Sequence, residues 1–121
     1  MKNKIDPYGI PNVNFTLINE DDERWEEFKQ ERLERGFDES ELWNLDYTIA
    51  KFIYPRLQAF FEGNISHPIG MTQDEWYIKI KSMLDAFKLI ITDKGPFNEE
   101  EDKIINEGLD NFRKYFFWLW I

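Results

Sequence analysis

Across residues 43–57 apolar or aromatic side chains fall on nearly every side of a helical projection. Leu42, Leu45, Ile49, Phe52 and Phe60 lie along one side, and Trp43, Tyr47, Ala50, Tyr54, Leu57 and Phe61 along another. A helix that is apolar on more than one side must be covered on more than one side. The pattern therefore predicts the central helix of a small domain. It starts near Asp38 or Ser40, either of which can cap it, and runs to Glu62 before Gly63. Pro55 lacks an N–H and crowds the preceding turn, which predicts a kink over residues 51–55 or two shorter helices meeting there.

Three further helices are predicted by the same periodicity. The first runs over residues 21–35, led by the acids that suit a helix N-terminus and stopped by Gly36. Its apolar stripe is thin, with only Trp25, Phe28 and Leu33, so it belongs at the periphery. The third helix opens on a capping box, Thr72 with Glu75, and runs to Thr92. Trp76, Ile80, Met83, Leu84, Phe87 and Ile91 fall on one of its faces. The fourth opens on Asn98 and Glu101 and continues to the C-terminus, with Ile105, Leu109, Phe112, Phe116 and Leu119 facing inward. Residues 1–18 carry Pro7, Gly9 and Pro11 and read as an irregular arm, with a short extended segment near 13–18.

The fold read from these signals is all-α: a compact bundle of about four helices with an aromatic core, forming one domain over residues 1–121. Composition sharpens this reading. Aromatics make up 17% of the chain, so a few large rings supply much of the core. The absence of cysteine excludes a disulfide scaffold, thiolate metal sites and thiol nucleophiles. No apolar run is long enough to span a bilayer, and the first residues lack the apolar core of a signal peptide. A cytoplasmic protein is expected.

The formal charge of -9 is unevenly spread. Residues 19–41 carry a net of -7 and residues 98–121 a net of -3, while residues 42–97 balance. Direct binding to nucleic acid needs clustered Lys and Arg and is disfavoured. A basic protein surface is the natural partner. Glu26, Glu27 and Glu34 are the candidate acidic interface.

Candidate chemistry is sparse. The single histidine, His67, lies in a Pro- and Gly-bounded loop with no nucleophile motif beside it, and reads as solvent-facing. The acidic runs at 20–23 and 99–102 lack metal-site spacing and sit where helices begin. No catalytic, cofactor or metal residue is assigned, and no enzyme activity is expected. Asp46 sits among Trp43, Leu45, Tyr47 and Ile49, which predicts a buried carboxylate paired with Lys51, Arg56 or Arg113. Asp46 with Arg56 is the candidate buried polar pair, with a structural role. At the C-terminus, Phe112, Tyr115, Phe116, Phe117, Trp118 and Trp120 exceed what one helix face can bury. Phe117, Trp118 and Trp120 are the candidate aromatic interface, unless the N-terminal segment wraps them.

The segments W-N-L-D-Y-T-I-A-K-F-I-Y-P-R-L, M-T-Q-D-E-W and E-G-L-D-N-F-R-K-Y-F-F-W-L-W resemble those of a group of small proteins encoded by tailed bacteriophages. The likeness covers residues 42–120 and leaves the acidic N-terminal third outside it. The resemblance implies a viral origin and the host-cell cytoplasm, but carries no functional residue. The resulting expectation is a non-enzymatic interaction protein, an acidic inhibitor or modulator of a host protein. The alternatives are a small-molecule or nucleotide-binding helical protein and a homo-oligomeric structural or assembly factor, including a homodimer.

Overall fold

The computed structural model describes residues 14–93 and 95–120. Among these residues the fold is all-α: α1 (Trp25–Arg35), α2 (Leu45–Gly63), α3 (Gln73–Thr92) and α4 (Glu99–Lys114). Two 3₁₀ turns, Glu39–Leu42 and Phe116–Trp118, complete it. No helix among the described residues is long and apolar enough to cross a membrane. Most of the expected N-terminal arm, residues 1–13, lies outside the described residues; residues 14–17 have no regular secondary structure. The chain gathers into two compact units, Met1–Phe52 and Ile53–Ile121, with the boundary inside α2.

In the first unit, α1 starts four residues later than its acids suggest. The Asp22 carboxylate accepts from the Arg24 backbone N–H at 2.8 Å, and this local bond holds residues 19–24 in turns. Gly36 ends the helix in the left-handed region at φ 89°, its N–H donating to Arg32 O. Of α1 only Phe28 is buried, edge-on to Trp43 with ring centroids 6.1 Å apart. The chain then turns at Asp38. The expected start of the second helix is instead a 3₁₀ turn, capped reciprocally by Asp38 and Glu41. α2 comes next and passes through Pro55 as a single helix.

Only one of the two apolar sides of α2 is covered. Ala50, Tyr54 and Leu57 are buried, whereas Leu42, Leu45, Ile49 and Phe52 stand 48–52% exposed. The expectation of a helix covered all round fails because a chain this short has too little interior for every apolar side. The most deeply covered helix is α3, which buries Trp76, Ile80, Met83, Leu84, Ala86, Phe87 and Ile91.

The second unit is built on α3 and α4. Both helices open on the expected capping boxes, Thr72 with Glu75 and Asn98 with Glu101. The two meet closely at Gly108, where a Cβ would lie 2.3 Å from Ala86 Cβ and 2.4 Å from Ser82 O. One turn on, the Asn111 amide donates to Ser82 Oγ at 3.0 Å. Rings fill the space around this crossing: Phe87 against Phe112 at 5.2 Å, Trp76 against Tyr115 at 5.7 Å and Phe61 against Tyr77 at 5.3 Å. The expected continuation of α4 to the C-terminus does not occur. The helix ends at Lys114, after Arg113 and Lys114, cations that suit its negative end. The bulky aromatics beyond it are weaker helix formers. Leu109 and Phe116, expected to face inward, are exposed.

Two substitutions test this packing. Gly108→Ala should gain roughly 1 kcal/mol of helix propensity but lose about 1–3 kcal/mol to overpacking. The neighbours it meets are a backbone oxygen and a Cβ, neither of which can swing away. A net fall in the denaturant midpoint is expected; a rise would contradict the close crossing. Trp76→Ala should cost roughly 3–5 kcal/mol.

Candidate functional site

The polar residues that the fold buries are not those expected. Asp46 and Arg56 are both exposed. Asp46 is in the first turn of α2, where the positive end of the helix favours an acid at the surface. The buried carboxylate is instead Asp38, 0% exposed and centred in a cluster within the first unit. It accepts from the Ser40 backbone N–H at 2.9 Å, from Ser40 Oγ at 2.5 Å and from the Arg32 guanidinium. Ser40 Oγ in turn accepts from Leu17 N at 2.8 Å and lies 3.3 Å from Thr16 Oγ1. Burial pushes the Asp38 carboxyl up, but the bonds from Ser40, Thr16 and Arg32 outweigh it and hold the group below the usual carboxylate range. The D-x-x-E spacing of Asp38 and Glu41 is the visible signal for this cluster; its depth is not readable from spacing.

Lys51 is also buried, beside the rings of Tyr47 at 5.0 Å and Phe15 at 5.8 Å. Burial lowers its pKa, and the charge of Glu41 partly opposes this.

The acidic residues behave differently. Glu26, Glu27 and Glu34 are exposed on α1 and enter no ion pair with a described residue. Arg24, Arg32 and Arg35 are held by Asp22, Asp38 and Glu31, and each also lies over an aromatic ring. The Arg24 side chain holds Asp22 at about 2. The arginines of the unit are thus engaged internally, and Glu26, Glu27 and Glu34 of α1 face solvent. The exposed stripe of Leu42, Leu45, Ile49 and Phe52 belongs to the same unit.

In the second unit, Phe117 is 87% exposed, and Trp118 and Trp120 are exposed too. Trp118 and Trp120 line a cleft of about 280 Å³ with Ser66, His67, Pro68, Ile69 and Trp76. His67 is exposed, its Nδ1 lying 3.1 Å from Pro68 O. The described residues contain no group of three or more His, Cys, Asp or Glu able to hold a metal ion.

The two carboxylates should respond differently to substitution. Asp38→Asn leaves Arg32 without its charge partner and should cost about 2–4 kcal/mol. Asp46→Asn should cost no more than about 1 kcal/mol. Because the Asp38 pKa is depressed in the fold, its contribution is present above the unfolded value near ~3.9 and is lost as pH falls through the folded value. Acid titration of parent and Asp38→Asn should therefore converge at low pH. A constant gap down to the acid limit would contradict the assignment.

Comparison of the chain with protein-family models, curated proteins and solved structures finds no match.

Proposed function

We propose that the chain is a non-enzymatic interaction protein whose first unit docks on a basic surface of another protein. One observation carries the reading: Glu26, Glu27 and Glu34 stand exposed without an ion-pair partner among the described residues, while the arginines nearby are engaged internally. A surface of this kind steers a cationic partner into encounter and sets the salt dependence of association. The half-exposed stripe on the same unit supplies what charge alone lacks. Interfaces combine an apolar centre with a polar rim, and Leu42, Leu45, Ile49 and Phe52 are suited to the centre. Taken with the resemblance of residues 42–120 to small phage proteins, the chain is a phage-encoded inhibitor or modulator acting in the host cytoplasm.

The test is capture from a bacterial host lysate on immobilised chain, at low and at raised salt, with parent and a Glu26→Lys, Glu27→Lys, Glu34→Lys variant. Basic proteins retained by the parent at low salt should be lost with the variant, whose helical circular dichroism should match the parent. Association with an identified partner should slow at least about tenfold and lose most of its salt dependence. Retention of the same proteins by the charge-reversed variant would remove the acidic surface as the docking site.

A further inference from the structure

The tryptophan cleft belongs to the second unit and has no share in the acidic surface of α1. At about 280 Å³ it has room for a large side chain, since a cavity of ~150 Å³ already accepts benzene. No Asp, Glu, Lys or Arg lines it. A group seated there gains by apolar contact and not by an ion pair. The cleft is held in shape from both sides. On one, the buried Asn64 accepts from Ser66 N at 3.2 Å through Oδ1, and its backbone oxygen accepts from the Tyr77 hydroxyl at 2.6 Å. On the other, the Trp118 N–H donates to Tyr115 O at 2.9 Å and closes the C-terminal 3₁₀ turn.

The same turn carries the opposite kind of feature. Phe117 is 87% exposed and is not among the residues that line its own cleft. Its ring is nevertheless supported. Edge-on contacts run outward from the core in series: Phe87 with Phe112 at 5.2 Å, Phe112 with Phe116 at 5.5 Å, and Phe116 with Phe117 at 5.5 Å. The first ring of the series is buried and the last stands in solvent. A ring supported in this way has less freedom to lose when it docks.

An outward ring beside an uncharged cleft of ring size makes a self-complementary surface. A two-fold dimer requires that relation, because residue i of one copy meets residue j of its partner and the reverse. The surrounding surface is also extensive enough. Ile69 is 93% exposed, Ile65 89% and Trp120 64%, and Phe116 and Trp118 are partly exposed. With Phe117 these side chains present on the order of 800 Å² of apolar surface, beyond the ~300–600 Å² of the largest patch on an ordinary monomer and close to the ~800 Å² that each partner brings to a standard interface.

We propose that a second copy of the chain covers this surface, with Phe117 of each copy seated in the tryptophan cleft of the other. A bilayer is the poorer cover, because it supplies no ring for the cleft and an anionic leaflet repels a chain of formal charge -9. The charge also sets the salt response. Two copies of like charge meet through side chains that carry none, so added salt screens their repulsion and leaves the apolar contact in place. The dimer tightens with ionic strength, whereas docking through the acids of α1 weakens.

Sedimentation velocity of the full-length chain over a range of concentrations reads the equilibrium. The parent should dimerise reversibly, and more tightly at raised salt than at low salt. Phe117→Ala removes the inserted ring, and Ile69→Glu puts a charge into the cleft. Both residues are largely exposed, so helical circular dichroism should match the parent. Each variant alone should dimerise at least about tenfold more weakly. Mixed, the two should recover part of the loss. One keeps the cleft and the other keeps the ring, so a mixed dimer seats one ring where neither variant alone seats any. With one variant fluorescently labelled, its association should be several-fold tighter in the mixture than by itself. The Glu26→Lys, Glu27→Lys, Glu34→Lys variant should dimerise no more weakly than the parent, which separates this interface from the acidic one. The proposal is overturned by a parent that stays monomeric at every concentration, by Phe117→Ala dimerising like the parent, or by a mixture that associates no better than its components. A dimer that salt weakens, or that charge reversal on α1 abolishes, also overturns it. So does a monomeric parent that sediments with zwitterionic vesicles, which would make the surface a membrane contact.

Discussion

Closeness of approach between α3 and α4 is set by a single missing side chain. With no Cβ at Gly108, the α4 backbone comes down onto Ser82 and Ala86, and the flanking rings reach one another across the crossing. Phe87 meets Phe112, and Trp76 meets Tyr115, at centroid separations typical of edge-on aromatic pairs. The amide of Asn111 reaches the Ser82 hydroxyl for the same reason. Were the axes further apart, these contacts would open together. The buried floor of the tryptophan cleft, Trp76, belongs to this set, so the shape of the cleft depends on a crossing further along α3.

Much of the fold is legible in the sequence where a signal is local. The capping boxes at Thr72 and Asn98 fix two helix starts to the residue, because each pairing is between near neighbours in the chain. Gly36 marks the end of α1 because only glycine enters the left-handed region without strain. The periodicity of α3 names its buried face correctly. Sequence does not reveal which of two equally apolar faces wins cover. On α2, Tyr54 and Leu57 are buried while Leu45, Ile49 and Phe52 are left outside; the choice is made by neighbours distant in sequence. Asp46 departs from its expected place for the same reason. Its neighbours in sequence are apolar, but several of them stand in solvent, so the carboxylate does too.

Asp38 departs in the opposite direction. A capping aspartate is ordinarily a surface residue, and nothing in the spacing says that this one is sealed from water. It is sealed because a 3₁₀ turn interrupts the expected helix and Arg32, Ser40 and Thr16 gather around one carboxylate. Leu42, at the end of this turn, and Leu45, at the start of α2, are both half-exposed. The corner at Asp38 thus replaces the first turn of the expected helix with a four-residue 3₁₀ turn, and α2 begins only at Leu45.

Gly108 also limits how the gene can vary. Every single-base change in a glycine codon that alters the residue without stopping translation introduces a Cβ, since no other amino acid lacks one. At this codon each such change places an atom where Ala86 and Ser82 already stand. Drift here is therefore opposed unless the line of α3 has shifted first, since a smaller residue at 86 would still leave the Ser82 carbonyl oxygen in the way. A glycine at 108 facing a small residue at 86 is therefore a marker for recognising distant relatives whose surfaces have diverged beyond comparison.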